Sequence, residues 1–297
     1  MARGDIYLDE AIATPLQLAW ARFIKNPLAI AGLWVLIILA LVMVFAPWIS
    51  PYPPEQQHLH AQLLPPSWNT NGQVDFFLGT DELGRDILSR LIHGSSQTFG
   101  NALLVVNIAL FVGFITGSIS GMTRGVKSSI LSHLLDALLS IPTLLLAILI
   151  VAVTGPGIEN TLWAVCLTLI PQFVRNIHNT IHTEMQKEYV TAARLDGANR
   201  QQIYWYVVMP NVWDSLILQI TLALSTAILD IAALGFLGLG AQSPSVEWGA
   251  MVSQGAANLL YAPWTVTIPG LAILFSVLAT NFVGDGLRRA FNKAGGK

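Results

Sequence analysis

The stretch Leu28-Ala-Ile-Ala-Gly-Leu-Trp-Val-Leu-Ile-Ile-Leu-Ala-Leu-Val-Met-Val-Phe-Ala46 holds nineteen consecutive residues without a charge. A helix of this length spans about 28 Å, close to the roughly 30 Å hydrocarbon thickness of a bilayer. The alternative is a secretory signal peptide, since Arg22 and Lys25 precede the run. Its apolar region would exceed the usual maximum of about 15 residues, and Pro47 directly after it makes a poor cleavage site. The stretch predicts a retained transmembrane helix.

The composition of the whole chain agrees with a membrane protein. Of its 297 residues, 54% are hydrophobic and only 11% are charged, whereas soluble globular proteins carry about 25% charged residues. The net charge of -2 gives no indication of nucleic-acid binding. Cys166 is the single cysteine and lies in an apolar run, which excludes a disulfide framework and a cysteine-based metal site.

Five further apolar stretches predict five more transmembrane helices, at residues 99–122, 130–154, 161–181, 212–235 and 266–283. The stretch 161–181 is the weakest of them, because Pro171 and Arg175 interrupt it. Glycines at four-residue spacing in the second helix (Gly113, Gly117, Gly121) predict that a neighbouring helix approaches closely. Pro142 predicts a kink in the third helix. We predict an all-α membrane protein with six transmembrane helices.

The basic residues predict the orientation of these helices. If the amino terminus is cytoplasmic, every Lys and Arg except Arg85 and Arg90 lies in an inside segment, which is 13 of 15. Such an asymmetry follows the positive-inside rule. Both termini are therefore predicted to be cytoplasmic.

The first outside segment ends in a pattern typical of an amphipathic helix at residues 80–92. Leu83, Ile87, Leu88, Leu91 and Ile92 form an apolar stripe. Thr80 is a suitable N-cap. The charged residues opposite the stripe offer two favourable i,i+4 pairs, which are Asp81–Arg85 and Asp86–Arg90. We expect this helix to lie on the outer membrane surface.

The longest inside loop, residues 182–208, contains Glu188-Tyr-Val-Thr-Ala-Ala-Arg-Leu-Asp-Gly197 and leads to Val207-Val-Met-Pro210. It predicts a short helix, a stop at Gly197 in a positive-φ conformation, and a second helix. The small side chains of Ala192 and Ala193 would let a partner protein pack closely. An ordinary solvated loop is the other interpretation.

This loop resembles the cytoplasmic signature of ABC importer permeases, in which Glu-Ala-Ala is followed after three residues by Gly and later by Ile-x-Leu-Pro. Ala192, Ala193, Gly197 and Pro210 stand at the matching positions. The sequence departs from the signature at Thr191, Val207 and Met209.

Two other stretches narrow the resemblance to the C-type permeases of peptide and nickel ABC transporters. They are Leu78-Gly-Thr-Asp-Glu-Leu-Gly-Arg-Asp-Ile-Leu-Ser-Arg-Leu91 and Ala227-Ile-Leu-Asp-Ile-Ala-Ala-Leu-Gly-Phe-Leu-Gly-Leu-Gly-Ala-Gln242, the latter followed by Glu247-Trp-Gly-Ala-Met251. Within that family they are most similar to the Sap-type branch, which is linked to antimicrobial-peptide resistance and polyamine transport.

The resemblance implies a type I ABC importer permease in the cell inner membrane. It divides the chain into a cytoplasmic segment (1–27), a first transmembrane helix (28–47), a periplasmic segment (48–96), a five-helix core (97–291) and a cytoplasmic tail (292–297). The core would contain a coupling loop (182–208) and a periplasmic loop (236–264). The implied partners are a second permease subunit, two ATPase subunits and a periplasmic substrate-binding protein. The expected coupling residues are Glu188, Tyr189, Ala192, Ala193, Arg194, Gly197, Ala198 and Pro210.

The chain is not expected to be an enzyme or to bind a cofactor. It contains no Gly-x-x-x-x-Gly-Lys-Ser/Thr phosphate-binding loop, so ATP and Mg²⁺ would bind to partner subunits. His178 and His182 share a helix face, but Asn179 stands where a zinc hydrolase needs glutamate, so no metal site is predicted. Asp136 and Asp285 are expected to pair with Arg288 or Arg289.

Asp230 lies in the outer part of the predicted fifth span, and an ionisable residue within a span suggests a functional role. It could attract a cationic substrate, or it could make a structural hydrogen bond. Gly235, Phe236, Gly238 and Gly240 follow it and are predicted to form a tight, mobile segment at the outer gate.

An ion-driven secondary transporter remains the alternative function, although no two related halves are visible. A membrane-embedded enzyme would need clustered catalytic side chains, and the sequence shows none. Peptides, antimicrobial peptides, putrescine and other polyamines, haem and nickel are all open as substrates.

Overall fold

The computed structural model describes residues 15–123 and 126–292, and these residues form helices and no strand. The helices are α1 (Pro15–Phe23), α2 (Pro27–Ile49), α3 (Ile87–Ser95), α4 (Asn101–Gly121), α5 (Val126–Leu139), α6 (Thr143–Thr154), α7 (Ile158–Glu184), α8 (Glu188–Leu195), α9 (Arg200–Gln202), α10 (Met209–Phe236), α11 (Trp248–Gly255) and α12 (Trp264–Asn292). A π-helical turn, Ser96–Gly100, joins α3 to α4, and a second one, Ile203–Val208, joins α9 to α10. The predicted all-helical class is confirmed.

Within residues 15–123 and 126–292, four helical stretches are long and apolar enough to cross a membrane, and a bent pair raises the number to five. The four are Pro27–Ile49, Ile87–Gly121, Arg200–Phe236 and Trp264–Phe291. The predicted fourth span lies within α7, which is 27 residues long. This helix is too polar to be one of the four apolar stretches.

The third predicted span, residues 130–154, is not one continuous helix. Its chain bends by 84° between the stretches His133–Leu139 and Thr143–Thr154. Pro142 lies in the bend, where it has no N–H to donate and disfavours helical backbone in the residue before it. The proline therefore ends the helix, whereas the sequence predicted only a kink.

The packing of α4 against α7 forms the centre of the fold. Gly113 and Gly117 face α7 so closely that a Cβ atom at these positions would lie 2.3 Å from the Cβ of Phe173 and 2.9 Å from the Cβ of Ile177. Gly121 makes a similar approach near Ile181. The close helix contact predicted from the glycine spacing is confirmed. By contrast, α2 lies at the edge and buries only Ala29, Gly32 and Ala46.

The segment between α2 and α3 does not contain the predicted helix over residues 80–92. The helix begins at Ile87, and Asp86 caps it by accepting a hydrogen bond from the Ser89 N–H at 2.8 Å. Gly84 has a φ of +71°, which a right-handed helix cannot include. Thr80 is buried and donates to the Ala61 carbonyl, so it holds the loop together and is not a helix cap.

Candidate functional site

The α8 helix protrudes from the end of the molecule at which α7 ends and α10 begins. Val190 is its only buried residue. Gly197 has a φ of +88°, and the N–H of Ala198 donates to the Ala193 carbonyl at 3.0 Å. This is the glycine-terminated helix end that the sequence predicted. Ala192 is exposed and Ala193 is half-buried, so the helix presents small side chains at its surface.

Polar contacts at the start of α8 and in the π-helical turn Ile203–Val208 connect this region to α7 and α4. Glu184, at the end of α7, accepts hydrogen bonds from the Lys187 ammonium at 2.6 Å and from the Tyr189 hydroxyl. Burial and this contact raise the pKa of Tyr189, which therefore stays protonated. Beyond α8, the Tyr204 hydroxyl donates to Ser118 of α4 at 2.9 Å. These contacts connect the start of α8 to α7 and the turn that follows it to α4.

The remaining residues of the predicted coupling set lie on or beside α8. Glu188 is in its first turn, Arg194 is in its last turn, and both are exposed. Pro210 is the second residue of α10 and is exposed. The structure brings the whole set to one end of the molecule.

An open groove of about 320 Å³ runs between α7 and α10. Seven of its eleven lining residues carry amide or hydroxyl side chains, and we call it the polar groove. They are Gln172, Asn176, Asn179 and Thr180 from α7 with Ser215, Gln219 and Thr226 from α10. The spacing of three, four or seven residues places each set on one helix face. The other four lining residues are Phe173, Leu218, Leu222 and Ala223. None of the described residues that line the polar groove is charged.

The hydrogen bonds of the polar groove link its two helices. The Gln219 side-chain N–H donates to the Gln172 carbonyl at 3.3 Å, and the hydroxyls of Thr180 and Ser215 lie 3.4 Å apart. Asn176 and Asn179 are exposed. An exposed amide facing lipid at membrane depth would be costly, because it has no hydrogen-bond partner there. This face is therefore suited to water or to another subunit, and not to lipid.

Asp230 lies on α10 but does not line the polar groove. Its side chain is 7% exposed, and its Oδ2 atom has no hydrogen-bond partner in the described part of the chain. The structure therefore does not bring this carboxylate together with the other polar residues of α10.

The predicted mobile segment after Asp230 is largely packed. A Cβ atom at Gly235 would lie 1.9 Å from the Glu247 Oε2 atom, and one at Gly240 would lie 2.7 Å from the Gly235 Cα atom. These two glycines are required by close packing. Gly238 alone has a positive φ, +73°, and open space around it, while Phe236 is half-exposed at the end of α10.

Glu247 accepts hydrogen bonds from two segments at the end of the molecule that carries α11. It is 1% exposed and accepts hydrogen bonds from the Gly249 N–H at 2.7 Å, the Ala250 N–H at 2.8 Å and the Thr98 hydroxyl at 3.0 Å. Burial raises the pKa of Glu247 to about 7, although these three donors favour the ionised form. Next to it, the Trp248 indole N–H donates to the Leu91 carbonyl at 2.9 Å.

A second buried polar cluster at the same end contains the predicted charged residues of the outer segment. Arg85 donates to Asp81 at 2.7 Å, so this predicted pair is confirmed. The predicted Asp86–Arg90 pair is wrong. Arg90 is 2% exposed and donates instead to the Gln254 side-chain oxygen at 3.0 Å, and Arg85 reaches the same oxygen at 3.2 Å. These charges are buried between segments, and do not lie on an exposed helix face.

Gln254, Thr98 and Glu247 are the residues of this end that sequence reasoning did not assign a role. Glu247 and Trp248 stood in a quoted motif, which was the one available signal. Gln254 and Thr98 gave none, because their partners lie more than 140 positions away along the chain.

The structure also shows the surroundings of Asp136 and of the histidine pair His178 and His182. Asp136 of α5 forms its ion pair with Arg175 of α7, so its predicted pairing with Arg288 or Arg289 is wrong. His178 and His182 stack at 5.7 Å, and His178 contacts the Ser120 hydroxyl at 2.9 Å. Within residues 15–123 and 126–292, no three His, Cys, Asp or Glu side chains are placed to hold a metal ion.

Comparison with known protein families shows which family this chain belongs to. Residues 109–294 match the family described as binding-protein-dependent transport system inner membrane component. The chain belongs to this permease family. Residues 14–66 of the permease also match the N-terminal transmembrane domain of oligopeptide transport permease C. The peptide-permease resemblance read from the sequence motifs is confirmed, and the chain is an integral membrane subunit of an ABC transporter.

Individual relatives agree with this assignment. The permease is 50% identical over 290 residues to the peptide transport system permease protein SapC of Salmonella typhimurium, covering 98% of both chains. It is 44% identical to the di/tripeptide transport system permease protein DppC of Pseudomonas aeruginosa, covering 94% of this chain and 92% of that one. Among solved structures, the MetNI methionine ABC transporter in inward-facing conformations matches with a TM-score of 0.56 at 19% identity, over 69% of this chain and 97% of that chain. That likeness supports the type I ABC importer permease fold.

Proposed function

We propose that this permease pairs with a second permease subunit in the cell inner membrane and lines the pathway of a peptide importer. The observation that carries this proposal is the polar groove between α7 and α10. Its wall offers amide and hydroxyl groups without charge, which can hydrogen-bond the backbone of peptides whatever their side chains. The relatives named as peptide permeases support the same substrate class. A polyamine would call for carboxylates, and none lines the polar groove.

In this arrangement the permease has six spans, with α7 as a polar span shielded by the partner subunit and α5–α6 as a broken one. Both termini and α8 face the cytoplasm, which the distribution of Lys and Arg supports. The opposite end, with Glu247 and Arg90, faces the periplasm and receives substrate from a binding protein. Asp230 lies outside the polar groove and does not line the proposed peptide pathway.

Coupling to ATP hydrolysis takes place at α8. Two ATPase subunits bind ATP and Mg²⁺, and one of them contacts the exposed face of Glu188–Leu195. Ala192 and Ala193 allow a close fit there, and Gly197 fixes the end of the helix. Movement of α8 passes through Glu184 to α7 and through Tyr204 to α4, which changes the width of the polar groove.

Cysteine accessibility tests the pathway directly. The sequence of this chain contains one cysteine, Cys166, which is 2% exposed. The unsubstituted chain should therefore react little with a thiol reagent. Asn176→Cys and Gln219→Cys in the complete transporter should react with a membrane-impermeant methanethiosulfonate, and a transported dipeptide should slow the reaction. Phe111→Cys is the matched control, because Phe111 is 67% exposed on an apolar face of α4.

We expect the Phe111→Cys variant to react at least about tenfold more slowly, because a lipid-facing thiol meets little water. If the groove cysteines are as unreactive as Phe111→Cys, or if dipeptide does not protect them, the pathway does not pass through the polar groove. Uptake assays on the Asn176→Leu variant complete the test, with loss of dipeptide uptake at unchanged membrane insertion as the expected result.

A further inference from the structure

A basic cavity of about 410 Å³ lies where the α1–α2 turn meets the last part of α12. It is lined by Arg22, Lys25, Asn26, Pro27, Gly286, Arg289 and Ala290. Three of these side chains are cations and none is an acid. The cavity is far along α12 from α11 and has no part in the polar groove.

Close packing fixes the position of this cavity. Phe23 at the end of α1 is 2% exposed, and a Cβ atom at Gly286 would lie 3.0 Å from its ring. The same Cβ would lie 2.3 Å from the Ala29 Cβ of α2. Three helices therefore meet at Gly286, and the cations of the cavity are carried by elements that are held together.

Among the residues that the structure describes, the cations of the cavity, which are Arg22, Lys25 and Arg289, have no ion-pair partner. The Nη1 atom of Arg22 is buried and has no hydrogen-bond acceptor there. A buried donor without an acceptor is costly, and for a charged donor more so. An anionic oxygen in the cavity would satisfy it.

The surroundings of the cavity resemble a membrane–water interface. Leu18, Trp20 and Ile24 are 40%, 56% and 48% exposed, and Trp20 stacks on Phe23 with ring centroids 5.7 Å apart. α1 has nine residues, too few to cross a bilayer. A short helix with exposed apolar residues beside cations is suited to lie in the interface. The cavity would then be at the depth of lipid headgroups.

We propose that this cavity binds the phosphate group of an anionic phospholipid. The guanidinium groups of Arg22 and Arg289 match the geometry of phosphate oxygens, and the Lys25 ammonium adds a third positive charge. Basic pockets between membrane helices are suited to such headgroups. The acyl chains would extend along the exposed side of α2, where Leu28 is 57% exposed. A bound lipid would join α1, α2 and α12.

Photolabelling of the complete transporter tests this site. A phosphatidylglycerol analogue with a diazirine on its acyl chain is cross-linked in detergent, and peptides covering 15–49 and 264–292 are quantified by mass spectrometry. Unlabelled phosphatidylglycerol should compete for these peptides, and phosphatidylcholine should not. Full competition by sodium phosphate at millimolar concentration would mean a free-anion site and would overturn the lipid assignment.

The variants Arg22→Gln and Arg289→Gln should each lower labelling of these peptides about fivefold, because each removes one cation near the headgroup. Arg288→Gln is the matched control, since Arg288 is the exposed neighbour of Arg289 on α12 and does not line the cavity. Equal losses in Arg288→Gln and Arg289→Gln would overturn the proposal. Lys25→Gln, at an exposed position, provides the same measurement if the arginine variants assemble poorly.

Discussion

The two ends of the molecule differ in how deeply their short helices are buried. At the α8 end, an eight-residue helix buries only Val190. At the α11 end, a helix of the same length buries Trp248, Gly249, Ala250, Met251 and Gly255. A segment with few buried contacts can move at little cost in free energy, whereas a fully packed one cannot. The comparison indicates that the α8 end is free to meet a partner while the α11 end is fixed.

Two glycines show the same difference at the level of single residues. Gly197, after α8, has a φ of +88° and no atom within 4 Å of a Cβ built on it. Gly249, in α11, has an ordinary φ, but a Cβ there would lie 2.0 Å from the Ala232 carbonyl oxygen. One glycine is required by backbone conformation, and the other by packing against backbone.

The largest effect is expected for Gly249→Ala. The added methyl group has to displace the backbone of α10, and we expect a loss of about 3 kcal/mol or more, since overpacking costs typically 1–3 kcal/mol even against movable side chains. Thermal unfolding of the purified transporter measures it. Gly270→Ala in α12 is the control, because nothing lies within 4 Å of its Cβ position. Equal stability of the two variants would show that the α11 end is not tightly packed.

A smaller effect is expected from the titration of Glu247. Burial raises the pKa of this carboxyl from 4.5 to about 7. The folded protein then holds the proton more tightly than the unfolded chain does, so the stability from this group is greatest below pH 4.5 and falls as the pH rises to about 7.

The unfolding temperature of the wild type should therefore fall between about pH 5 and about pH 8, relative to that of Glu247→Gln, which cannot titrate at this position. The control is the variant's own pH profile, which records every other titrating group. Parallel profiles of the two proteins would mean that Glu247 is not buried as the structure shows.

The smallest effect on stability is expected at Gly197. Valine there has to adopt a left-handed backbone, which costs about 1–2 kcal/mol and is confined to the end of α8. We expect Gly197→Val to insert and fold but to lose peptide uptake and stimulation of the ATPase. Gly197→Asn should retain both, because asparagine tolerates this conformation. Wild-type uptake by Gly197→Val would refute the role of α8 in coupling.

The sequence predicted the α8 end better than the α11 end, and the reason is physical. The end of α8 depends on local signals, namely small residues followed by a glycine at positive φ. The close helix contact at Gly113 and Gly117 could also be predicted, because four-residue spacing places both glycines on one helix face. Arg90 was assigned to Asp86, whereas its ion-pair partner is Asp81 at 3.7 Å. Its hydrogen-bond partner Gln254 could not be found from the sequence, because it follows 164 positions later in the chain.

The number of spans shows a second limit of sequence reasoning. Pro142 was visible, but whether a proline kinks a helix or ends it depends on what surrounds the freed carbonyl groups. The polar groove was also missed. Asn176 and Gln219 belong to different stretches, and only packing brings α7 beside α10. The sequence marked the stretch 161–181 as the weakest span because of Pro171 and Arg175, and neither of these residues lines the polar groove.

The break at Pro142 has a consequence for the surrounding bilayer. The helix that follows it, Thr143–Thr154, has twelve residues and therefore rises only about 18 Å, little more than half of the hydrocarbon thickness. Acyl chains beside this helix have to shorten or tilt to cover its ends. The bilayer should therefore be locally thinner on this side of the molecule. The stability of the fold should then depend on the acyl-chain length of the surrounding lipids.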